Sequence, residues 1–122
     1  MSKLPEAFSH AGVADVDLSA KLNYFAKATA TGYDLAGDGA VVAGVLYEVA
    51  TAGKNVSVQF GGICKVIAAE TIAANARIAS DVNGKAVNAA VGDFEVGTAL
   101  PGASKSAGEF VEFVWAPGRR HA

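Results

Sequence analysis

The chain has 122 residues, 52% of them hydrophobic and 18% charged, and ten Lys and Arg stand against twelve Asp and Glu for a net charge of −2. That balance excludes a disordered polyelectrolyte, and it offers no basic stripe to displace counterions from a phosphate backbone, so no nucleic-acid partner is expected. The single cysteine, Cys64, cannot form an internal disulfide or furnish a zinc centre by itself, and no stretch approaches the roughly 20 apolar residues of a membrane span.

The N-terminal run Met1-Ser2-Lys3-Leu4-Pro5-Glu6 lacks an apolar signal core, which predicts synthesis in a reducing cytoplasm. Much of the apolar content is alanine and valine, with 14 Gly and only six Phe, three Tyr and one Trp. Small side chains bury little area at about 25 cal/mol per Å², while ordering the backbone costs about 1–2 kcal/mol per residue. Further burial is therefore expected from association, with copies of the chain or with another surface.

Taken in chain order, residues 1–15 carry Pro5 and little periodicity and read as an extended arm, removable without unfolding the rest. Over residues 16–23, Val16, Leu18, Ala20 and Leu22 alternate with polar neighbours, which predicts a half-buried strand. Tyr33 and Leu35 lead through Gly37-Asp38-Gly39 into the apolar run 41–47, the pattern of a hairpin. A turn at 52–55 precedes a strand over 56–60. Gly61-Gly62 then reads as a bulge within one long strand continuing over 63–67. Residues 68–77 are alanine-rich and could form one or two helical turns. Asn83-Gly84 between 78–82 and 85–87 predicts a second hairpin, and strands over 94–100 and 109–115 flank a small-residue loop, 101–108.

The segment beginning Ala43-Gly44-Val45 resembles the one beginning Val96-Gly97-Thr98. Their leading glycines, Gly44 and Gly97, lie 53 residues apart and their turn glycines, Gly53 and Gly108, 55 apart. An internal duplication follows, with copies near 24–60 and 76–115. The expected fold is all-β, a small β-barrel or sandwich (β-tulip-like) built from two similar halves. It has an extended N-terminal arm (1–15), a core domain (16–116), a C-terminal tail (117–122) and at most one short helix.

Reactive chemistry is sparse. His10 lies in the arm and His121 is penultimate, positions without the rigid support an acid–base residue needs. Cys64 reads as a small buried hydrophobe, and Lys65 beside it points to the opposite face of a strand. Asp15 and Asp17 would share a strand face. Asp34, Asp38 and Asp93 sit beside glycines as turn formers, and Glu109 and Glu112 fall on opposite faces of a strand. Gly37-Asp38-Gly39 lacks the rest of a phosphate-binding fingerprint. The Arg119-Arg120 end reads as a solvated terminus. Neither catalytic residues nor a metal or cofactor site are expected.

The sequence of Ala43-Gly44-Val45, Thr51-Ala52-Gly53-Lys54-Asn55-Val56-Ser57-Val58, Gly62-Ile63, Asn83-Gly84-Lys85-Ala86-Val87, Val96-Gly97-Thr98-Ala99-Leu100 and Ala107-Gly108-Glu109-Phe110-Val111-Glu112 resembles the tailed-bacteriophage capsid decoration, or cement, proteins. The resemblance covers about residues 22–115; it departs at Lys54, where an acidic residue is common in the family, and in a longer 101–108 loop. It implies a non-enzymatic virion protein on the outer surface of the expanded head, with the major capsid protein and copies of itself, as a trimer or a dimer, for partners. Neither nucleic acid nor membrane is expected to bind. On that reading the arm docks on the shell through Leu4, Pro5, Phe8 and Val13, as a strand added to an exposed edge. Two other classes remain open. One is a lipoyl- or biotinyl-type carrier presenting Lys54 at a turn, although the residues that flank a modified lysine are missing. The other is a small ligand-binding barrel, for which one Trp and three Tyr give few recognition groups.

Overall fold

Alternation along the chain decides which side chains go inward. In the segments ICKVI and FVEFVW, Cys64, Val66, Val111 and Phe113 are buried while Ile63, Lys65, Phe110, Glu112 and Val114 face out. A computed structural model describes residues 8–100 and 106–118 of the chain. Strands β1 (Ser9–Val13), β2 (Phe25–Ala28), β3 (Tyr33–Leu35), β4 (Gly44–Glu48) and β5 (Asn55–Gln59) form one antiparallel sheet in the order β1-β5-β4-β2-β3. Strands β6 (Ile63–Ile67), β7 (Arg77–Ser80), β8 (Ala86–Asn88), β9 (Gly97–Ala99) and β10 (Phe110–Trp115) form a second, in the order β6-β10-β9-β7-β8. The fold is all-β and sandwich-like, with no α-helix among the described residues, and neither sheet closes into a barrel.

Counted within each half, the two strand orders are identical. The details repeat as well. Ala14 bridges Tyr33 in parallel, and Ala68 bridges Ala86. The amides of Ala14 and Ala68 donate to the Lys54 and Glu109 carbonyls, both at 2.8 Å, and those of Leu46 and Ala99 to Tyr24 and Ala76, both at 2.9 Å. Asn23 and Asn75 take left-handed backbone at φ 66° and 67° at the same point of each half. Each bridge draws the two edges of a sheet together at one end, so each sheet curls around its own apolar cluster. Leu18, Ala26, Leu46, Val56 and Val58 line the first, and Ile72, Ile78, Ala99, Val111 and Phe113 line the second. Phe25, Ala36, Val42 and Val45 leave the opposite face of the first sheet to join the second cluster, which welds the halves together.

Several local expectations need correction. Residues 16–23 form no strand: of the alternating apolar set only Leu18 is fully buried, Val16 and Leu22 are exposed, and Asn23 cannot be extended at its positive φ. The first strand is Ser9–Val13, inside the expected arm, and pairs with β5 from Ser9↔Gln59 to Val13↔Asn55. From residue 9 onward the arm is therefore part of the sheet, and removing it would bare the edge of β5. The 33–47 hairpin does not form, because β2 inserts between β3 and β4. Gly61-Gly62 is a passage between sheets, not a bulge: β5 ends one sheet's chain path and β6 begins the other's. A register irregularity lies elsewhere, in β4 between Leu46 and Glu48 opposite β5. Residues 68–77 form bridges and turns, and β7 and β8 do pair as a hairpin. Its Asp81 carboxylate accepts from the Asn83 and Lys85 amides, both at 2.8 Å, so the connection spans 81–85 and only Gly84 has positive φ.

Candidate interaction surface

The reactive side chains are dispersed and mostly occupied. Cys64 is buried, its thiol is pushed up to about 11 by that burial, and it donates to the Gly61 carbonyl at 3.6 Å. His10 Nδ1 lies 2.7 Å from the Tyr33 hydroxyl, and burial raises the Tyr33 phenol above its ordinary range. Asp15 and Asp17 sit in the loop after β1 and share no strand face. Asp15 accepts from the Thr29 and Thr31 hydroxyls, which hold it below the usual carboxylate range, Thr29 most strongly. Asp17 is lowered by its bonds to Ser19.

Asp34 and Asp93 cap local backbone at Leu35 and Ala90, and Glu109 accepts from the Ser106 amide at 2.8 Å. The one buried carboxylate in an ion pair among the described residues is Glu95, held by Arg77 Nε at 2.8 Å. Among the described residues no group of three or more His, Cys, Asp or Glu could hold a metal ion. His121, Arg119 and Arg120 lie outside the described residues.

An apolar surface stands where the reactive groups do not. Register places Ile63 opposite Val114, Lys65 opposite Glu112 and Ile67 opposite Phe110 on the outward face of β6 and β10. Ile63, Val114 and Phe110 are 58%, 41% and 45% exposed. Lys65 Nζ stands 5.2 Å from the centre of the Phe110 ring, a cation–π arrangement that keeps the lysine's stem across the apolar face. At the passage that leads into β6, the Phe8 ring lies over Gly61 and the Phe8 carbonyl accepts from the Phe60 amide at 2.9 Å. Gly61 carries no side chain because Phe8 fills that space. Gln59 Nε2 donates to the Gly61 and Ile63 carbonyls at 2.9 and 3.0 Å and fixes the passage between the sheets.

Of the residues expected to dock, Phe8 is half-exposed over Gly61, whereas Val13 is exposed at the far end of β1 opposite Asn55. Leu4 and Pro5 lie outside the described residues. Lys54 is exposed, and its backbone, not its side chain, is engaged: its carbonyl accepts from Ala14 and its amide donates to Thr51. Ile63, Phe110 and Val114 were not singled out from the sequence. Their signal is the near-continuous apolar run of FVEFVW, which in a strand must leave apolar groups on the outer face as well as the inner.

No family model matches the chain, and no curated protein matches it in sequence. A solved structure does match in fold: the head fiber gp8.5 N base of bacteriophage phi29, at a TM-score of 0.69 and 17% identity, covering 93% of this chain and 98% of that one. At that identity the likeness is one of fold.

Proposed function

We propose that the chain is a structural, non-enzymatic component of a tailed-phage head, a decoration or cement protein on the outer surface of the expanded shell that stabilises contacts between major capsid protein subunits. The observation that carries this reading is the likeness in fold, over nearly the whole of both chains, to the base of a phage head fiber. The chemistry is compatible with it: the side chains that could do bond-making are buried, paired or scattered, and the outward β6–β10 face offers apolar contact with a charged pair across its middle. A ligand that binds assembled subunits and not separated ones stabilises the assembly by mass action, and many copies on a lattice make modest single contacts sufficient. On this reading the chain is made in the host cytoplasm, joins the head as a trimer, and needs no cofactor.

The test is a pull-down of the purified protein with expanded heads, alongside mass spectrometry of purified particles. The wild-type chain is expected to bind expanded heads and not free capsid subunits. An Ile63→Lys, Val114→Lys chain, changed only at exposed positions, is expected to melt as the wild type does and to bind heads at least tenfold more weakly. Absence of the chain from purified particles, or equal binding to separated subunits, would overturn the proposal.

A further inference from the structure

The two halves meet head to tail. The first, residues 9–59, sends Phe25, Ala36, Val42 and Val45 into the core of the second, residues 63–115. There the Phe25 ring meets Phe113 edge-on, with centroids 5.9 Å apart, and the Phe25 amide donates to the Gly84 carbonyl at 2.7 Å. An interface in which one patch enters a different patch on the next unit grows open chains if it repeats between copies. Because the halves are alike, the chain carries a second patch of each kind: one matching the inserting patch on the second half and one matching the receiving patch on the first.

Register fixes the correspondence. Phe25 pairs with Val45 as Arg77 pairs with Thr98. The amides of Ala36 and Ala89 donate to Phe25 and Arg77 at 3.0 and 2.9 Å, and those of Ala43 and Val96 to Ala26 and Ile78, both at 2.8 Å, so Val42 corresponds to Glu95. The corresponding patch of the second half is therefore Arg77, Ala89, Glu95 and Thr98. Arg77 donates to Glu95 Oε1 at 2.8 Å, to Thr98 Oγ1 at 2.7 Å and to the Ala116 carbonyl at 2.9 Å. A charged, hydrogen-bonded cluster of this kind has no counterpart in an apolar receiving core.

The receiving side differs just as specifically. Tyr33 occupies the place of Ala86: the two pair with Ala28 and Ser80 and bridge Ala14 and Ala68. Beneath the Tyr33 ring lies Gly12, where a β-carbon would come within 2.7 Å of the ring, and His10 reaches its hydroxyl. The matching positions of the second half are Val66 and Cys64. So the half with Ala86 takes in a ring from its neighbour, and the half with Tyr33 supplies its own and thins the facing strand to make room.

We infer that these two residue sets are stops, an ion pair on the second half's inserting patch and an aromatic plug in the first half's receiving patch, which confine head-to-tail association to the two halves of one chain and prevent a second copy from continuing it. Any larger assembly of the chain uses other faces.

Two full-length variants test this. One opens the inserting patch by Arg77→Phe, Glu95→Val and Thr98→Val; the other opens the receiving patch by His10→Cys, Gly12→Val and Tyr33→Ala. Sedimentation velocity of each alone is expected to give the wild-type mass, and an equimolar mixture to give a new species at the sum of the two. The two sets combined in one chain are expected to give masses that climb with concentration. Cooperatively melting variants that remain separate on mixing overturn the inference. So does an inserting-patch variant that fails to melt cooperatively both alone and with its partner, because the correspondence requires β7 and β9 to accept the residues that β2 and β4 carry.

Discussion

Replacing Phe25 by alanine tests the weld between the halves. Phe25 belongs to the first sheet, yet it is fully buried in the core of the second and stacks edge-on against Phe113. Truncating a buried phenylalanine costs about 3–5 kcal/mol, and the loss of an aromatic pair, itself worth about 0.5–1.5 kcal/mol, places this one in the upper part of that range. At roughly 0.05–0.15 kcal/mol per residue the whole chain of 122 residues holds about 6–18 kcal/mol, so the substitution removes a large share. The thermal midpoint is expected to fall by about 16–20 °C, at about 4 °C per kcal/mol for a domain of this size. Phe8→Ala, at a half-exposed ring, is expected to cost about 1 kcal/mol or less. The distinguishing measurement is amide hydrogen exchange: in Phe25→Ala, protection should fall more in β6–β10 than in β4 and β5, although the altered residue lies in β2. Losses confined to the first sheet, or equal midpoints for the two variants, would refute the view that the first half completes the core of the second.

Gly44→Ala should destabilise by several kcal/mol, because a β-carbon there would sit 2.7 Å from the Gln59 carbonyl oxygen. Gly53→Ala, with open space around it and a φ of 83°, should cost only about 1–2 kcal/mol; paired thermal melts check the contrast. Arg77→Ala removes the ion-pair partner of the buried Glu95 and is expected to cost about 3–5 kcal/mol at neutral pH in urea unfolding. Cys64, raised to about 11 from an ordinary value near 8.5, contributes stability that is complete below pH 8.5 and lost as pH rises through 11. Its thiol should stay unreactive to a disulfide reagent at pH 8 until the chain unfolds. Asp15, held low by Thr29 and Thr31, favours the fold above the ordinary carboxylate range and loses that effect as pH falls through its own depressed value. Thr29→Val with Thr31→Val should raise its titration midpoint in an NMR titration.

What the sequence made legible was whatever depends on local pattern. The strand over 56–60 announces itself by apolar alternation and the one over 109–115 by a near-continuous apolar run, and the spacings of 53 and 55 between paired glycines correspond to positions that register and hydrogen bonding make equivalent. Gly44 and Gly97 recur because a neighbouring strand's carbonyl occupies the space of their side chain in both halves, at Gln59 and at Val114. What depends on partners across the fold was not legible. Ser9–Val13 has no strand-like alternation because Gly12 and His10, on its inner face, are shaped by a tyrosine more than 20 residues away. Residues 16–23 mimic a strand because alternation in a loop with one buried leucine looks the same as alternation in a sheet. The hairpin expected over 33–47 fails since sequence proximity says nothing of β2, which takes the place between β3 and β4.

The composition posed a physical question that the architecture answers within one chain. A core rich in alanine gains little per residue, and the second cluster, with Ala68, Ala86 and Ala99 among its lining residues, would be underfilled if it stood alone. It is completed by Phe25, Val42 and Val45 from the other half, while the first cluster is completed by its own Tyr33. The dependence therefore runs in one direction: the second half needs the first to fill its core, and the first does not need the second for that purpose. Covalent linkage makes this cheap, because the filling residues arrive at the high effective concentration set by the short passage through Gly61 and Gly62. Small side chains are then no sign of a weak domain. They are the receiving half of an interface whose large residues lie some 50 positions earlier in the same chain, and with that interface closed internally the outward face of β6 and β10 is left available for other contacts.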